Sequence, residues 1–318
     1  MTELDALLAA VVADPHDKAR WQVLADWLEE FDDPLRSELL RLHRRLQATC
    51  LNPAHPDRPR WHERIVALLA DGVEPCVPRR TVEVPGAPPL TFAFIPPGMF
   101  LLGSPSDEEH RFSDEARHLV TIADGYWLGV APVTQAQWYA MTGDRPWACG
   151  GDDYPVEGVS WEAARAFVEQ LSEKTGQRFR LPTEAEWEHA CRAGTTTAFH
   201  VGDDLSVEQA NYYEYIPVRR PRDEVRPATL TVAGTFPPNP WGLFDMHGNV
   251  WEWCTDPDTG YGMTYSLDPR EPPLPGDGLL RGGSWSDGAR FCRSAYRRLY
   301  DPGNHLDDVG CRVVLCGE

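Results

Sequence analysis

The sequence predicts an α+β protein in two parts, a small all-α module followed by a larger, loop-rich domain. Three observations predict it. Apolar residues recur at helical spacing through the first 48 positions. From Leu90 the texture changes: Gly, Pro, Trp and Asn become dense and strand-like runs are short. Beyond that point few segments keep a helical pattern, so loop packing and side-chain hydrogen bonds must hold the larger domain together.

In chain order, Leu4, Leu7, Leu8, Val11 and Val12 fall at helical spacing behind a Thr2/Asp5 capping box. A second helix carries Trp21, Leu24, Trp27, Leu28 and Phe31 on one side. Asp32-Asp33-Pro34 closes it and opens a third, striped by Leu35, Leu39, Leu42 and Leu46. These make a compact module over residues 1–48. Residues 49–89 read as a helix (61–69) and a Pro-rich linker: NPAHPDRPR breaks the chain at 52–60, and 71–89 enters a strand. The domain over 90–318 has helices at 134–141 and 161–175 and a third starting at Pro182, with Thr183 near its start and Trp187, Ala190 and Cys191 inward. Glu184 and Glu186 sit in its first turn, where the helix dipole favours anions. In GLFDMHGNVWEW (242–253), Gly248-Asn249 suits a tight turn, and Trp251 and Trp253 alternate with Glu252 as on a strand.

Composition excludes several function classes. A net charge of -19 argues against nucleic acid as a partner, because phosphate binding needs a cationic footprint. Lys occurs only at Lys18 and Lys174, so Arg carries nearly all the positive charge. The opening MTELDALLAA has acidic residues where a signal peptide is basic, and no stretch approaches a membrane span, so the expected location is cytoplasmic and away from the membrane. The cysteines (50, 76, 149, 191, 254, 292, 311, 316) lack CxxC or Cys/His spacing, which reads as reduced, mostly buried thiols.

Seven blocks occur in one order: FIPPGMFLLGS (94–104), GYWLGVAPVTQAQW (125–138), PVEGVSWEAARAF (155–167), RLPTEAEWEHACRAG (180–194), NPWGLFDMHGNVWEW (239–253), RGGSW (281–285) and VGCRVV (309–314). Together they resemble the formylglycine-generating enzyme, or sulfatase-modifying factor, family, an elaboration of the C-type lectin fold. The resemblance implies a C-type-lectin-like domain. It also implies a calcium site with carboxylates from Asp245 and Glu252 and carbonyls from Gly248 and Val250, oxygen ligands of the kind calcium takes. The alternative there is a metal-free turn with Glu252 paired to an Arg. A second calcium site would use Asn211 and the carbonyl of Tyr212, but its downstream carboxylate has no clear place in VRRPRDEVRPATL (218–230).

The family's enzymes oxidise a substrate cysteine with two copper-binding thiols in a motif of the form RGGSWxCxxxxC. Here those positions are Asp287 and Cys292. A single thiolate beside a carboxylate is a poor site for Cu(I), so no copper and no enzymatic activity are expected. Cys311 stands where the family has Phe in its closing GFR. The other reading left open is an oxidoreductase acting on thiols through Cys292 and another cysteine. No HExxH, GxSxG or P-loop is present, and His247 reads as a packed loop residue.

The tail over 281–314 also resembles the variable region of target proteins of diversity-generating retroelements, which are C-type-lectin-fold proteins. Adenine-templated diversification there yields codons that never encode Lys, Gln, Glu, Met or Trp. Between Ser286 and Cys311 none of these five types occurs, although they make up 49 of the 318 residues; about four would be expected in a window of that length. The resemblance implies a non-catalytic binder of a protein ligand. Arg281 to Trp285, Cys292 to Ala295, Arg297, Pro302 and Arg312 would hold the backbone. Ser286, Asp287, Gly288, Arg290, Phe291, Tyr296, Arg298, Leu299, Tyr300, His305, Leu306, Asp307 and Asp308 would project outward as the binding surface. Aromatic anchors among small polar residues resemble a paratope. The helical module would dock an effector.

Overall fold

A computed structural model describes residues 2–148, 150–214, 229–255 and 278–317. Four helices come first: α1 (Glu3–Ala13), α2 (Lys18–Phe31), α3 (Pro34–Ala48) and α4 (Arg58–Ala70). Their starts are written locally. Thr2 and Asp5 form the reciprocal capping box at α1, Asp17 caps α2, and Asp33 caps α3 with Pro34 at its first position. Val11, Trp21, Leu24 and Leu28 pack with Leu40 of α3 and with Cys76. The other face of α3, Leu39, Leu42 and Leu46, packs on Ile65, Leu68 and Leu69 of α4. α3 is therefore buried on two sides, and α4 is part of the helical unit.

Among the described residues the rest is built from three sheets and three α-helices. Strands β1 (Arg79–Val84), β2 (Ala87–Ile95), β5 (Tyr126–Gly129), β11 (Val314–Leu315) and β6 (Phe179–Arg180) make a sheet in the order β1-β2-β5-β11-β6. β10 (Val309–Cys311), β7 (Trp251–Cys254), β8 (Gly278–Arg281) and β9 (Arg297–Tyr300) make a second, in which β10 is parallel to β7. β3 (Gly98–Leu102) pairs with β4 (His118–Ile122). The expected linker over 71–89 is corrected here. Its second half is β1, registered against β2 with Val82 and Val84 in the core, because alternation in RRTVEV gives one apolar face to bury.

Helices α5 (Gln135–Thr142) and α6 (Trp161–Thr175) lie where the sequence puts them, capped by Thr134 and Ser160. α7 (Glu184–Arg192) starts later than Pro182, because Thr183 is the N-cap, with Glu186 completing a capping box. Every residue of α7 is buried, the charged ones included. Among the described residues no helix is long and apolar enough to cross a membrane.

The helical unit is docked on the larger domain through α3 and α4. His43 Nε2 meets the Ala193 carbonyl at 3.0 Å, Arg58 donates to the Gly194 carbonyl at 2.7 Å, and His62 meets the His200 carbonyl at 2.8 Å. The turn after α7 is thus held by the helical unit.

Candidate functional site

β8 ends at Arg281, whose buried guanidinium is gripped by Glu188 and donates to the carbonyls of Ser294, Ala295 and Tyr296. One arginine therefore ties β8, α7 and the following loop together. The chain then turns through Gly282 and Gly283 at positive φ. A Cβ on Gly283 would lie 2.5 Å from Cys292 Sγ, so the turn closes on the thiol only because glycine has no side chain. Cys292 is fully enclosed, with Ala198 and Phe199 in its cluster and Tyr212 and Ala289 against it. Burial pushes this thiol far above the ordinary cysteine range.

His247 lies behind Cys292. Its Nδ1 donates to the Cys292 carbonyl at 2.7 Å and its Nε2 accepts from the His200 backbone N–H at 3.0 Å. That pattern fixes a neutral tautomer, and burial lowers the ring to about 4. It is a packed loop residue, as expected.

Asp287 is turned inward. Its Oδ2 accepts from Trp251 Nε1 at 2.7 Å and from Ser284 Oγ at 2.6 Å. Ser284 Oγ also lies 2.7 Å from Asp308 Oδ2, and Ser286 Oγ lies 2.8 Å from the same carboxylate. A hydroxyl has one proton to give, so Ser284 cannot serve both carboxylates at once. Burial and the neighbouring charge of Asp308 raise Asp287, while its bonds to Ser284 and Trp251 pull the other way.

The remaining expected surface divides into patches. Gly288, Arg290 and Phe291 open onto a cleft. Tyr296 and Phe291 are half-buried and meet edge to face at 5.2 Å, with Arg290 over the Phe291 ring at 4.5 Å. Arg298 stands over Trp251 and Tyr300, and Leu299 is exposed on the edge strand β9. His305 and Asp307 are exposed on the final loop, where His305 Nδ1 meets the Gly158 carbonyl. Several residues depart from the outward reading. Asp308 is buried as the acceptor of Ser284 and Ser286, Asp287 is engaged as above, and Leu306, Phe291, Tyr296 and Tyr300 pack partly against the core. The residues expected to hold the backbone are paired inside: Arg293 with Glu115 and Glu108, Arg297 with Glu184, and Arg312 with Glu252.

The expected calcium ligands are already engaged with one another's surroundings, Glu252 above all. Glu252 is fully buried, both its oxygens take the Arg312 guanidinium, and Oε2 also accepts from Trp187 Nε1 at 2.6 Å. This is the pairing that the alternative turn requires, and it leaves Asp245 as the sole carboxylate of the set. Asp245 sits at φ 54 and accepts from the Gly234 N–H, and burial raises it to about 6. Gly248 and Val250 are backbone in the same turn, where a Cβ on Gly248 would strike the Asn211 carbonyl at 2.2 Å. The residues present do not fit a hard divalent ion. Among the described residues no three His, Cys, Asp or Glu side chains cluster as a metal site. Most of VRRPRDEVRPATL, and Cys149, lie outside the described residues.

The cleft beside Arg290 and Phe291 has a volume of about 1010 Å³. Its walls bring in side chains that sequence reasoning missed: Asp107, Glu108 and Glu109 from one loop, Asp203 and Asp204 from a second, and Tyr213 and Glu214 from a third. Phe112 is another, exposed and edge-on to Tyr296 at 5.1 Å. Nothing in the sequence flags these residues, which lie 70 or more positions upstream of Arg290.

Residues 85–316 match the sulfatase-modifying factor enzyme 1-like domain. The serine/threonine-protein kinase pkn1 of Chlamydia pneumoniae is 34% identical over 51% of this chain and 24% of its own length. The formylglycine-generating enzyme of Bos taurus is 32% identical over 59% of this chain and 50% of its own. The chain thus spans a quarter to a half of these curated relatives. Among solved structures, Treponema denticola variable protein 1 superposes with a TM-score of 0.62 at 26% identity, covering 74% of this chain and 98% of that one.

Proposed function

The chain belongs to the sulfatase-modifying factor enzyme 1-like family, and from that premise we propose that it binds a ligand and does not oxidise thiols. The ligand is a protein segment received by the C-terminal loops, as in a variable protein of a diversity-generating retroelement. One observation carries the reading. Cys292 is sealed under Gly283 and Asp287 is engaged with Trp251 and Ser284, while their neighbours Arg290 and Phe291 open onto a large cleft. Chemistry is closed at this point of the fold and contact is open.

The cleft suits a basic segment. Asp107, Glu109, Asp203, Asp204 and Glu214 line it, and Phe291 and Tyr213 supply aromatic surface for anchoring. The missing residue types in the tail and the likeness to a variable protein support diversification of the exposed positions. The ligand is met in the cytoplasm. An effector would dock on the free side of the helical unit, where Val23 and Phe31 of α2 are exposed.

A displayed random-peptide library panned against the whole chain tests the binding role. Enrichment of Lys- and Arg-containing peptides is expected, with loss of at least tenfold in affinity for an Asp203→Asn, Phe291→Ala double variant. Peptides that bind both forms equally would sink the assignment. The oxidoreductase reading rests on the enzymes among the relatives. It requires Cu(I) uptake that disappears in Cys292→Ser, and a flat copper titration is the expected result.

A further inference from the structure

We infer that the seam between the helical unit and the larger domain is a binding site for a small phosphate-bearing molecule, held by Arg44 and Lys18 from the helices and His189 from α7. This goes beyond the loop site and does not depend on it.

The seam encloses a cavity of about 250 Å³ walled by Lys18, Arg44 and Gln47 on one side and Gly98, His189 and Thr195 on the other. A second cavity of about 270 Å³ abuts it, shares Lys18 and Arg44, and adds Trp21, Arg41 and Arg45. Neither wall contains an Asp or Glu, in a chain with 49 acidic and 30 basic residues. Of the two lysines in the whole sequence, one stands here.

Arg44 is the central observation. Arg192, Arg281, Arg293 and Arg312 each grip a carboxylate in the interior, and Arg58 satisfies itself on three oxygens. Arg44 Cζ lies 4.3 Å from the centroid of the Trp21 ring, and the guanidinium donates to Gln47 Oε1 alone among the described residues. Four of its five N–H groups remain for another partner. Burial without an anion lowers it to about 10, the direction expected of a guanidinium lacking its counter-charge.

His189 provides the second, independent observation. It is nine-tenths buried, and its Nδ1 is enclosed without a hydrogen-bond partner among the described residues. Its Nε2 lies 3.7 Å from the position a Cβ on Gly98 would take, so it faces the cavity wall. Burial lowers the ring to about 4, and a neutral imidazole keeps one N–H to donate. A phosphate between Arg44 and His189 would take the guanidinium's free donors and that N–H, and Lys18 at the exposed mouth would add a further charge. A planar fork, a point charge and a neutral donor around a cavity of this size match one phosphate group with a small substituent. Such a ligand would join α3 to α7 and strengthen the seam.

The test titrates pyrophosphate and AMP separately into the full chain by calorimetry, with the His189 ring signals followed by NMR. Saturable binding of one equivalent is expected, with movement of the His189 resonances. Arg44→Gln should weaken it at least tenfold and Lys18→Gln severalfold, while Lys174→Gln leaves it unchanged. Lys18 is exposed, so that variant stays informative if Arg44→Gln fails to fold. Tighter AMP binding would point to a nucleotide, and tighter pyrophosphate binding to an inorganic ligand. Absence of saturable binding by either at millimolar concentration overturns the inference, as does binding that Lys18→Gln leaves unaltered.

Discussion

Arg312 meets Glu252 through two of its nitrogens while its remaining donors reach the carbonyls of Gly129 and Phe244. Both residues are fully buried, so each charge is tolerable only because the other is present. Arg312→Met alone should cost about 3–5 kcal/mol, since it strands a buried carboxylate. Urea denaturation would measure the loss, and a cost below about 1 kcal/mol would contradict the pairing. Adding Glu252→Leu to that variant should recover part of it. Cys292 behaves otherwise. Cys292→Ser should lower stability by placing a hydroxyl in an apolar pocket, yet leave peptide affinity unchanged, because the thiol touches nothing outside. A severalfold change in affinity would mean that the enclosed pocket opens on binding.

Among the elements, α7 and the turn after it decide how the two parts meet. Thr183 caps α7 through its own side chain and through Glu186, whose carboxylate also grips Arg180. Thr183→Ala should cost about 1 kcal/mol, as loss of a cap does. The turn that follows presents the Ala193 and Gly194 carbonyls to His43 and Arg58. Arg58→Met removes a charged donor from three oxygens and should cost about 1.5–3 kcal/mol per such bond made fully unsatisfied. Faster proteolysis between α4 and β1, with the larger domain still intact, would be the sign that the seam has opened. Unchanged cleavage would mean that the apolar contacts alone hold it.

Across the whole molecule the seam makes stability depend on pH. His43 is lowered to about 3 and His189 to about 4, His62 and His200 are lowered as well, and desolvation is the leading cause in each. A ring whose folded pKa lies below 6.5 binds fewer protons folded than unfolded. Its contribution is complete above about pH 6.5 and is lost as the pH falls. Glu157 acts in the opposite sense, because burial raises it to about 7 and the folded state therefore gains stability below that pH. His247, lowered to about 4, acts with these rings and Asp245, raised to about 6, acts with Glu157, so the lowered rings outnumber these two carboxylates and the melting temperature falls from pH 7 to pH 5.5. Glu157→Gln should steepen the fall by removing one opposing group. A melting temperature that rises on acidification would show that the histidines are charged in the folded protein.

The division into helices and a loop-rich domain, the caps at Thr2 and Asp33, and the strand character around Trp251 to Trp253 were legible in the sequence, because each depends on neighbours within a few positions. The family was legible for a related reason, since its blocks are short and keep their order. β1 was misread as linker because a strand with one apolar face is recognised by its partner, and that partner is a later strand. Which tail residues face outward was a matter for the tertiary structure. Asp308 and Asp287 look like paratope members in a list of polar residues, and only the arrival of Ser284 and Trp251 turns them inward. The acidic wall of the cleft and the unpaired Arg44 are of the same kind. The sequence by itself determined which elements form and where they begin, because those choices are settled by local hydrogen bonds and apolar periodicity. The tertiary structure alone decided which charges are paired, because a carboxylate finds its arginine across scores of residues and no spacing in the sequence records the meeting.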